Sequence, residues 1–456
     1  MTSVLLIYPF FIPAHDRSVF RFPPLGMAYI AACLKREGFD VQLLDCTFLS
    51  KRTALKQAVE AKAEIVGIYG MVTMSEDAMR FARQLRQQTK LLVAGGPLPT
   101  CDPLPFLEVF DVVVSGEGEQ TVIQLLQAYK KGSDLGTVPG IVYRKIKSDK
   151  LGAEPPAVTT KPRPFERNLD NIPFPARDLF PNKEYKEPSR KKSGYAISTI
   201  MSTRGCPFRC EFCSNVIFGG SYRERSAKNV VDEIEQVLGL GYDRISFADD
   251  VFTLRKKRVL QICNEIKKRK LQFLWECLGR VDSLDETTAL AMKKAGCFRI
   301  YFGIESGNQR ILNLMRKQIT IQQARDAVET AHQAGMEVGA FFIIGYPGDT
   351  ADTILETIHF ATSLPVDYLG LTLPYPLPGT PLFERVKTRI RRNWHPKENV
   401  FSPHTLIFET EFSPFKLQFG ILKGKMELFL KKRLGGQSWL FSGFEKSTNL
   451  VFRALK

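Results

Sequence analysis

Three cysteines stand together in Arg204-Gly205-Cys206-Pro207-Phe208-Arg209-Cys210-Glu211-Phe212-Cys213, with the spacing C-x-x-x-C-x-x-C. Thiolates so spaced can converge on one small metal site. Soft sulfur ligands select iron–sulfur clusters, zinc or cuprous ion. A 4Fe–4S cluster usually takes four cysteines, so a local motif that offers three leaves one iron open to bind something else. Zinc normally wants four ligands in two pairs, and no nearby Cys or His completes such a set. Buried apolar thiols are the remaining alternative.

The triplet, with aromatic Phe212 directly before its last cysteine, resembles the signature of the radical S-adenosylmethionine (SAM) enzymes. That resemblance implies that Cys206, Cys210 and Cys213 hold a 4Fe–4S cluster whose open iron chelates the amino and carboxylate groups of SAM. One electron then cleaves SAM to methionine and a 5′-deoxyadenosyl radical.

Residues 193–384 must position this motif, and they alternate between strand and helix patterns. The cysteines follow a strand-like run, Tyr195–Met201. Five more apolar runs lead to Asp249-Asp250, Arg280, Glu305-Ser306-Gly307, Gly345-Tyr346-Pro347-Gly348 and Pro374-Tyr375-Pro376. Six strand–helix units predict a partial (β/α)6 barrel, with chemistry at the carboxyl ends of its strands. By resemblance, Phe212, Ser226, Asp249, Asp250, Arg280, Glu305, Ser306 and Gly345 touch SAM. Asp249 and Asp250 face its amine, Arg280 or Ser226 its carboxylate, Glu305 the ribose hydroxyls and the Gly345 loop the adenine. Each has a plainer reading. Asp249-Asp250 and Ser226 stand where a side chain caps a helix, and Arg280 can pair with Asp282 or Glu276.

Residues 1–135 alternate in the same way through five apolar runs, which predicts a doubly wound parallel sheet with its ligand crevice at the carboxyl strand ends. Pro23-Pro24-Leu25-Gly26, Gly95-Gly96-Pro97 and Gly116-Glu117-Gly118-Glu119 follow the first, fourth and fifth runs. They resemble the loops of the cobalamin-binding domain that precedes many radical SAM domains. The resemblance implies cobalamin contacts at Gly26, Gly95, Gly96, Gly116, Glu117 and Gly118, where small residues let the backbone approach a large ligand. The D-x-H-x-x-G motif, whose His ligates cobalt from below, is absent, and His15 stands in the first loop without that pattern. The likeness extends to cobalamin enzymes with no lower His.

The fold class is therefore expected to be α/β. A Rossmann-like cobalamin-binding-type domain (1–135) is joined by a proline-rich linker (136–192) to a radical SAM partial barrel (193–384). A basic amphipathic C-terminal extension, mainly helical, covers 385–456.

The 456 residues carry 44% hydrophobic and 25% charged side chains, an ordinary globular composition. Six of the nine cysteines are scattered, so this is no disulfide scaffold. They also lack the three further cluster thiolates of a methylthiotransferase. No signal peptide or membrane-spanning run is apparent. A reducing cytoplasm is the expected location, which suits an oxygen-sensitive cluster.

The net charge is +16, and from Glu384 onward fifteen Lys/Arg stand against six Asp/Glu. A basic surface points to nucleic acid or anionic membrane. No RNA-binding module accompanies the charge, and Phe415–Leu434 mixes lysines with Phe, Leu, Ile and Met. That pattern suits either an interfacial helix at the inner membrane face or a helix capping the barrel.

The expected activity is C-methylation of an unactivated carbon in a small or lipid-like substrate, with an external donor such as flavodoxin or ferredoxin. Two alternatives stand beside it. One is a radical cyclase or rearrangement enzyme acting on a tetrapyrrole or lipid, and the other is a ligand-binding protein with a structural metal.

Overall fold

The computed structural model describes residues 2–13, 21–144, 156–391, 406–435 and 439–455. His15 and the Arg392-Asn393-Trp394 part of the basic stretch lie outside them. The chain divides into two units. The first is Met1–Thr199 with Asn215–Glu224, and the second is Ile200–Ser214, Arg225–Trp394 and Ser402–Lys456.

The first unit is a seven-stranded sheet. Its strands are β1 (Ser3–Tyr8), β2 (Asp40–Asp45), β3 (Ile65–Tyr69), β4 (Leu91–Gly95), β5 (Val112–Val114), β6 (Ile141–Arg144) and β7 (Ala157–Thr159), in the order β2-β1-β3-β4-β5-β6-β7. The first five are parallel; β6 and β7 add antiparallel. The β1 run Val4-Leu5-Leu6-Ile7 is buried throughout, as a strand covered on both faces must be. Val4 and Leu6 pack with α1 (Leu25–Arg36) and with a later helix, Glu119–Lys131. Leu5 and Ile7 pack with α2 (Lys51–Glu60) and α3 (Ser75–Leu85).

Helix α1 begins after Pro24 and carries Lys35 and Arg36 in its last turn, where cations meet the negative end of the helix dipole. A short helix, α4 (Pro97–Cys101), follows β4, and α5 (Glu119–Lys131) follows β5. The described residues of the proline-rich stretch read as a connector supply β6, β7 and α6 (Asn182–Ser193). From α6, the Tyr185 hydroxyl donates to the buried Asp45 carboxylate at the end of β2, 2.6 Å away.

A second sheet has six strands, β8 (Ile197–Ile200), β9 (Arg244–Phe247), β10 (Leu274–Gly279), β11 (Cys297–Glu305), β12 (Glu337–Ile343) and β13 (Tyr368–Thr372), in sequential order, and β9 to β13 lie wholly in the second unit. From β9 to β13 every pairing is parallel. Helices α7 (Ala227–Gly239), α8 (Lys256–Lys268), α9 (Glu286–Lys294), α10 (Gln309–Leu314), α11 (Ile321–Gln333) and α12 (Ala351–Ser363) fall between the strands. Sequential parallel strands with intervening helices make the expected (β/α)6 arrangement. Its helices start where the sequence supplies caps: Thr320 and Gln323 form a capping box on α11.

The remaining helices are α13 (Pro381–Val386), α14 (Pro414–Leu434) and α15 (Trp439–Ala454). Gly420 and Gly424 let α14 lie close to its neighbours. A Cβ at Gly424 would run into Leu371 of β13, and one at Gly420 would stand 3.0 Å from Phe452. The Lys416 ammonium donates to the Leu455 carbonyl at 2.7 Å, so α14 and α15 run antiparallel. Five of the scattered cysteines, Cys33, Cys46, Cys263, Cys277 and Cys297, are buried thiols.

Candidate functional site

The cysteine loop has no regular secondary structure of its own, and Glu211 fastens it. The Glu211 N–H donates to the Met315 carbonyl (2.9 Å), and its own carbonyl accepts from the Leu382 N–H (3.0 Å). Its carboxylate accepts from the Tyr346 hydroxyl at 2.6 Å and pairs with Arg385 at 3.2 Å. Cys206 and Cys210 are half-buried and Cys213 is exposed. Desolvation raises all three thiols, Cys213 to about 12, and Cys213 feels the charge of both others.

Two buried cations work the other way. Lys317 lowers Cys210 and Cys213, and Arg280 lowers Cys206 and Cys210. The Arg280 guanidinium lies over the Phe208 ring, 3.4 Å from its centroid. It makes a two-pronged pair with Asp282 at 2.9 Å and donates to the Lys317 carbonyl at 3.1 Å. Arg280 thus pairs with Asp282, one of the partners the sequence offered, and braces the cysteine loop through Phe208. Lys317 was not singled out in the sequence. Its ammonium meets the buried Glu305 carboxylate at 2.9 Å and lies 5.9 Å from the centre of the Phe212 ring.

Glu305 ends β11 just after a register shift, with φ of +76°. A non-glycine residue in that region is uncommon and strained, and such strain persists where surrounding structure enforces it. It aims the carboxylate at Lys317 and into the field of Cys210.

The loop after β12 turns at Gly345, whose φ is +80°. A Cβ there would stand 2.8 Å from Leu417 of α14. Asp349 closes the turn, accepting from the Tyr346 N–H at 2.8 Å and the Thr353 hydroxyl at 2.7 Å. Burial outweighs these bonds and lifts its pKa from 3.8 to about 6. The folded state thus holds a proton that the unfolded chain releases. Its stabilising contribution is complete below pH 3.8 and lost as pH rises through about 6. Across that window, wild type should lose on the order of 3 kcal/mol relative to Asp349→Asn. Denaturant unfolding of both proteins between pH 4 and 7 measures this; parallel pH profiles would refute it.

Asp250 stands exposed at the rim, near the Gly205 backbone; burial of its carboxyl group and the Asp249 charge raise its pKa. Asp249 is turned inward, 1% exposed. It accepts from the N–H groups of Ser202 (2.6 Å) and Thr203 (3.0 Å) and from the Ser202 hydroxyl, with Arg258 3.8 Å away. It ties the start of the cysteine loop to β9. Ser306 is likewise internal, bonded to Thr357 at 3.0 Å. Ser226 caps α7, accepting from the Asn229 N–H at 3.2 Å. For Ser226 this is the capping role its sequence position offered, whereas Asp249 caps no helix.

In the first unit, Gly26, Gly95, Gly96 and Gly116 gather at the carboxyl ends of the strands. Gly26 is exposed, and a Cβ there would meet nothing within 4 Å. Gly96 (φ +110°) is required by the fold, since a Cβ would stand 2.6 Å from the Gly70 carbonyl. Gly116 donates its N–H to Thr100 at 3.1 Å. Gly118 packs on Ile30. The buried Glu117 carboxylate pairs with Arg223 at 2.8 Å. Arg223 also donates to the Glu166 carbonyl at 3.0 Å and lies over Phe165. Tyr8 and Tyr69, unremarked in the sequence, bring their rings within 5.4 Å at the ends of β1 and β3.

Three thiols that face two buried cations suit an anionic iron–sulfur group. Among the described residues, no three His, Cys, Asp or Glu side chains stand where one ion could bind them all. A cubane cluster puts each thiolate on a different iron and asks for a wider spread. The open space at Gly26 and the glycine turns beside it suit a large ligand laid against the backbone.

Comparison with known proteins gives a consistent result. The pattern of the radical SAM superfamily matches residues 200–361, and that of the B12 binding domain matches residues 16–126. An uncharacterized methyltransferase of Pyrococcus horikoshii is 38% identical over 371 residues, which cover 79% of this chain and 78% of the relative. The anaerobic magnesium-protoporphyrin IX monomethyl ester cyclase of Cereibacter sphaeroides is 27% identical over 93% of this chain and 70% of its own. Among solved structures, the radical SAM methyltransferase TsrM from Kitasatospora setae, bound to tryptophan and a SAM analog, superposes with a TM-score of 0.72. It is 20% identical over 88% of this chain and 82% of that one, so the likeness is one of fold.

Proposed function

The chain belongs to the radical SAM superfamily and carries a B12-binding domain, and from that premise we propose that it C-methylates an unactivated carbon of a small or lipid-like substrate. It is an enzyme whose cofactors are a 4Fe–4S cluster, SAM and cobalamin. When bound, these groups supply one-electron cleavage of SAM, hydrogen abstraction from carbon and a methyl carrier.

The protein's part is to hold and orient. Cys206, Cys210 and Cys213 would each take one iron. Lys317 and Arg280 would offset the negative charge of the thiolates. Glu305 would hold the ribose hydroxyls while Lys317 keeps its carboxylate aimed. Asp250 and the backbone at Gly345 would meet the amine and the adenine, with Phe212 covering the open side. Gly26, Gly95, Gly96 and Gly116 would let cobalamin lie against the backbone. The observation that carries the reading is the gathering of three thiols, two buried cations and Glu305 in one place.

A flavodoxin or ferredoxin would supply the electron. Among the described residues no helix is long and apolar enough to cross a membrane, and the reading includes peripheral contact of the C-terminal region with one. A second reading, ring formation on a tetrapyrrole, draws on the likeness to the cyclase across most of the chain.

Anaerobic purification with cobalamin supplied should yield about four iron, four sulfide and one cobalt per chain, and 5′-deoxyadenosine on reduction. Labelled methyl from SAM retained in the product supports methylation. Its absence, with radical cleavage intact, supports the cyclase. Zinc without SAM cleavage would refute both.

A further inference from the structure

Helix α14 is apolar on two sides. One side, with Leu417, Gly420, Ile421 and Gly424, is buried against the second unit. On the other, Phe415, Leu422, Met426 and Phe429 are exposed. Spacings of seven, eleven and fourteen residues from Phe415 place the four on one narrow face. The partner helix α15 repeats the pattern. It buries Phe441 and Phe452 and exposes Trp439, Leu440, Leu450 and Val451. A helix faced with large apolar groups on its solvent side marks a surface that something covers.

The exposed charges on the two helices have one sign, although Arg453 of α15 is paired with the exposed Asp352. Lys425, Lys432, Arg433 and Lys446 are exposed, and Arg433 lies over the Phe429 ring. The hairpin's described helices hold two acids. Glu427 is fully buried against Lys423, and Glu445 is occupied by His359 at 2.8 Å. No acid on these helices is exposed. A second copy pairing through this face would set one basic patch against another, because a two-fold interface uses the same patch on both copies. An anionic surface with an apolar interior answers both features.

We propose that the α14–α15 hairpin docks on an anionic lipid bilayer, its aromatic and aliphatic side chains entering the interface and its lysines meeting the headgroups. The inference deepens the membrane part of the functional reading and is independent of the radical chemistry, so either can fail alone.

The test is flotation of the full chain with vesicles of phosphatidylglycerol or of phosphatidylcholine, at low and high salt. Binding to phosphatidylglycerol vesicles, weakened by salt and about tenfold or more stronger than to phosphatidylcholine, is expected. Trp439 is 79% exposed, and its emission should move to the blue on binding, a shift lost in Trp439→Phe. The double variant Leu422→Ser/Phe429→Ser changes only exposed positions and should keep the far-ultraviolet dichroism of the parent. Its binding should fall about tenfold or more. Absence of binding to phosphatidylglycerol, or equal binding by the double variant, overturns the proposal. So does a dimer in vesicle-free solution that the double variant dissolves, since a second copy would then be the cover.

Discussion

Cys210→Ala should abolish cluster iron and SAM cleavage while leaving the fold standing. Iron should fall from about four per chain to background, and 5′-deoxyadenosine should become undetectable. The melting temperature should move by no more than about 4 °C, the scale of a kcal/mol or less in a chain of this size. The reason lies in how the loop is held. Its fastening is Glu211, bonded through its backbone to Met315 and Leu382 and through its carboxylate to Tyr346 and Arg385. None of these bonds runs through a cysteine side chain. Iron analysis, SAM cleavage and calorimetry on one preparation check the claim. A large drop in stability alongside the iron loss would mean that the cysteine, not Glu211, organises the loop.

The second large effect is on stability. Lys317→Met should cost about 3–5 kcal/mol, the usual penalty for leaving one partner of a buried ion pair uncompensated. Glu305 is the partner left behind, 8% exposed and held at a strained backbone angle. The lysine has no freedom to be replaced by a neighbour. Arg316 and Gln318 on either side have φ of +52° and +56°, and the Lys317 carbonyl is taken by Arg280. Adding Glu305→Gln to Lys317→Met should recover most of the loss, and the coupling is read from a double-mutant cycle of denaturant unfolding. SAM cleavage should stay impaired in the double variant, because the carboxylate is gone. A single variant within about 1 kcal/mol of wild type, the range of an exposed pair, would mean that water reaches Glu305.

These two results rest on parts of the site that differed in legibility. The cysteines were readable because all three lie within eight residues and their chemistry is local. The alternation of β1 to β5 and β8 to β13 was readable because strands covered on both faces are written as short continuous apolar runs. Lys317 was not, because a lysine just after a helix looks like any cation answering a helix dipole, and its partner is set by a fold-level approach of β11. Asp249 and Asp250 are adjacent in sequence but opposite in role. Only the position of Ser202, two residues past the end of β8, turns one inward. Arg280 had Asp282 two residues away, so its ion pair was legible as one of two local partners, and its stacking on Phe208 was not. Strands β6 and β7 were hidden by the prolines around them and by their shortness.

Those two short strands limit how this protein can be taken apart. Cutting the chain at residue 135 keeps every parallel strand, yet it strips β6 from β5 and leaves Val112–Val114 as a bare hydrophobic edge, an invitation to pairing with other chains. It also removes Tyr185 from Asp45, a carboxylate 6% exposed, and Arg223 from Glu117. The portable piece in any exchange of cobalamin-type domains between relatives therefore runs through Thr199 and needs Asn215–Glu224 as well. A block that reads as the first third of the chain is, as a transferable module, a discontinuous one.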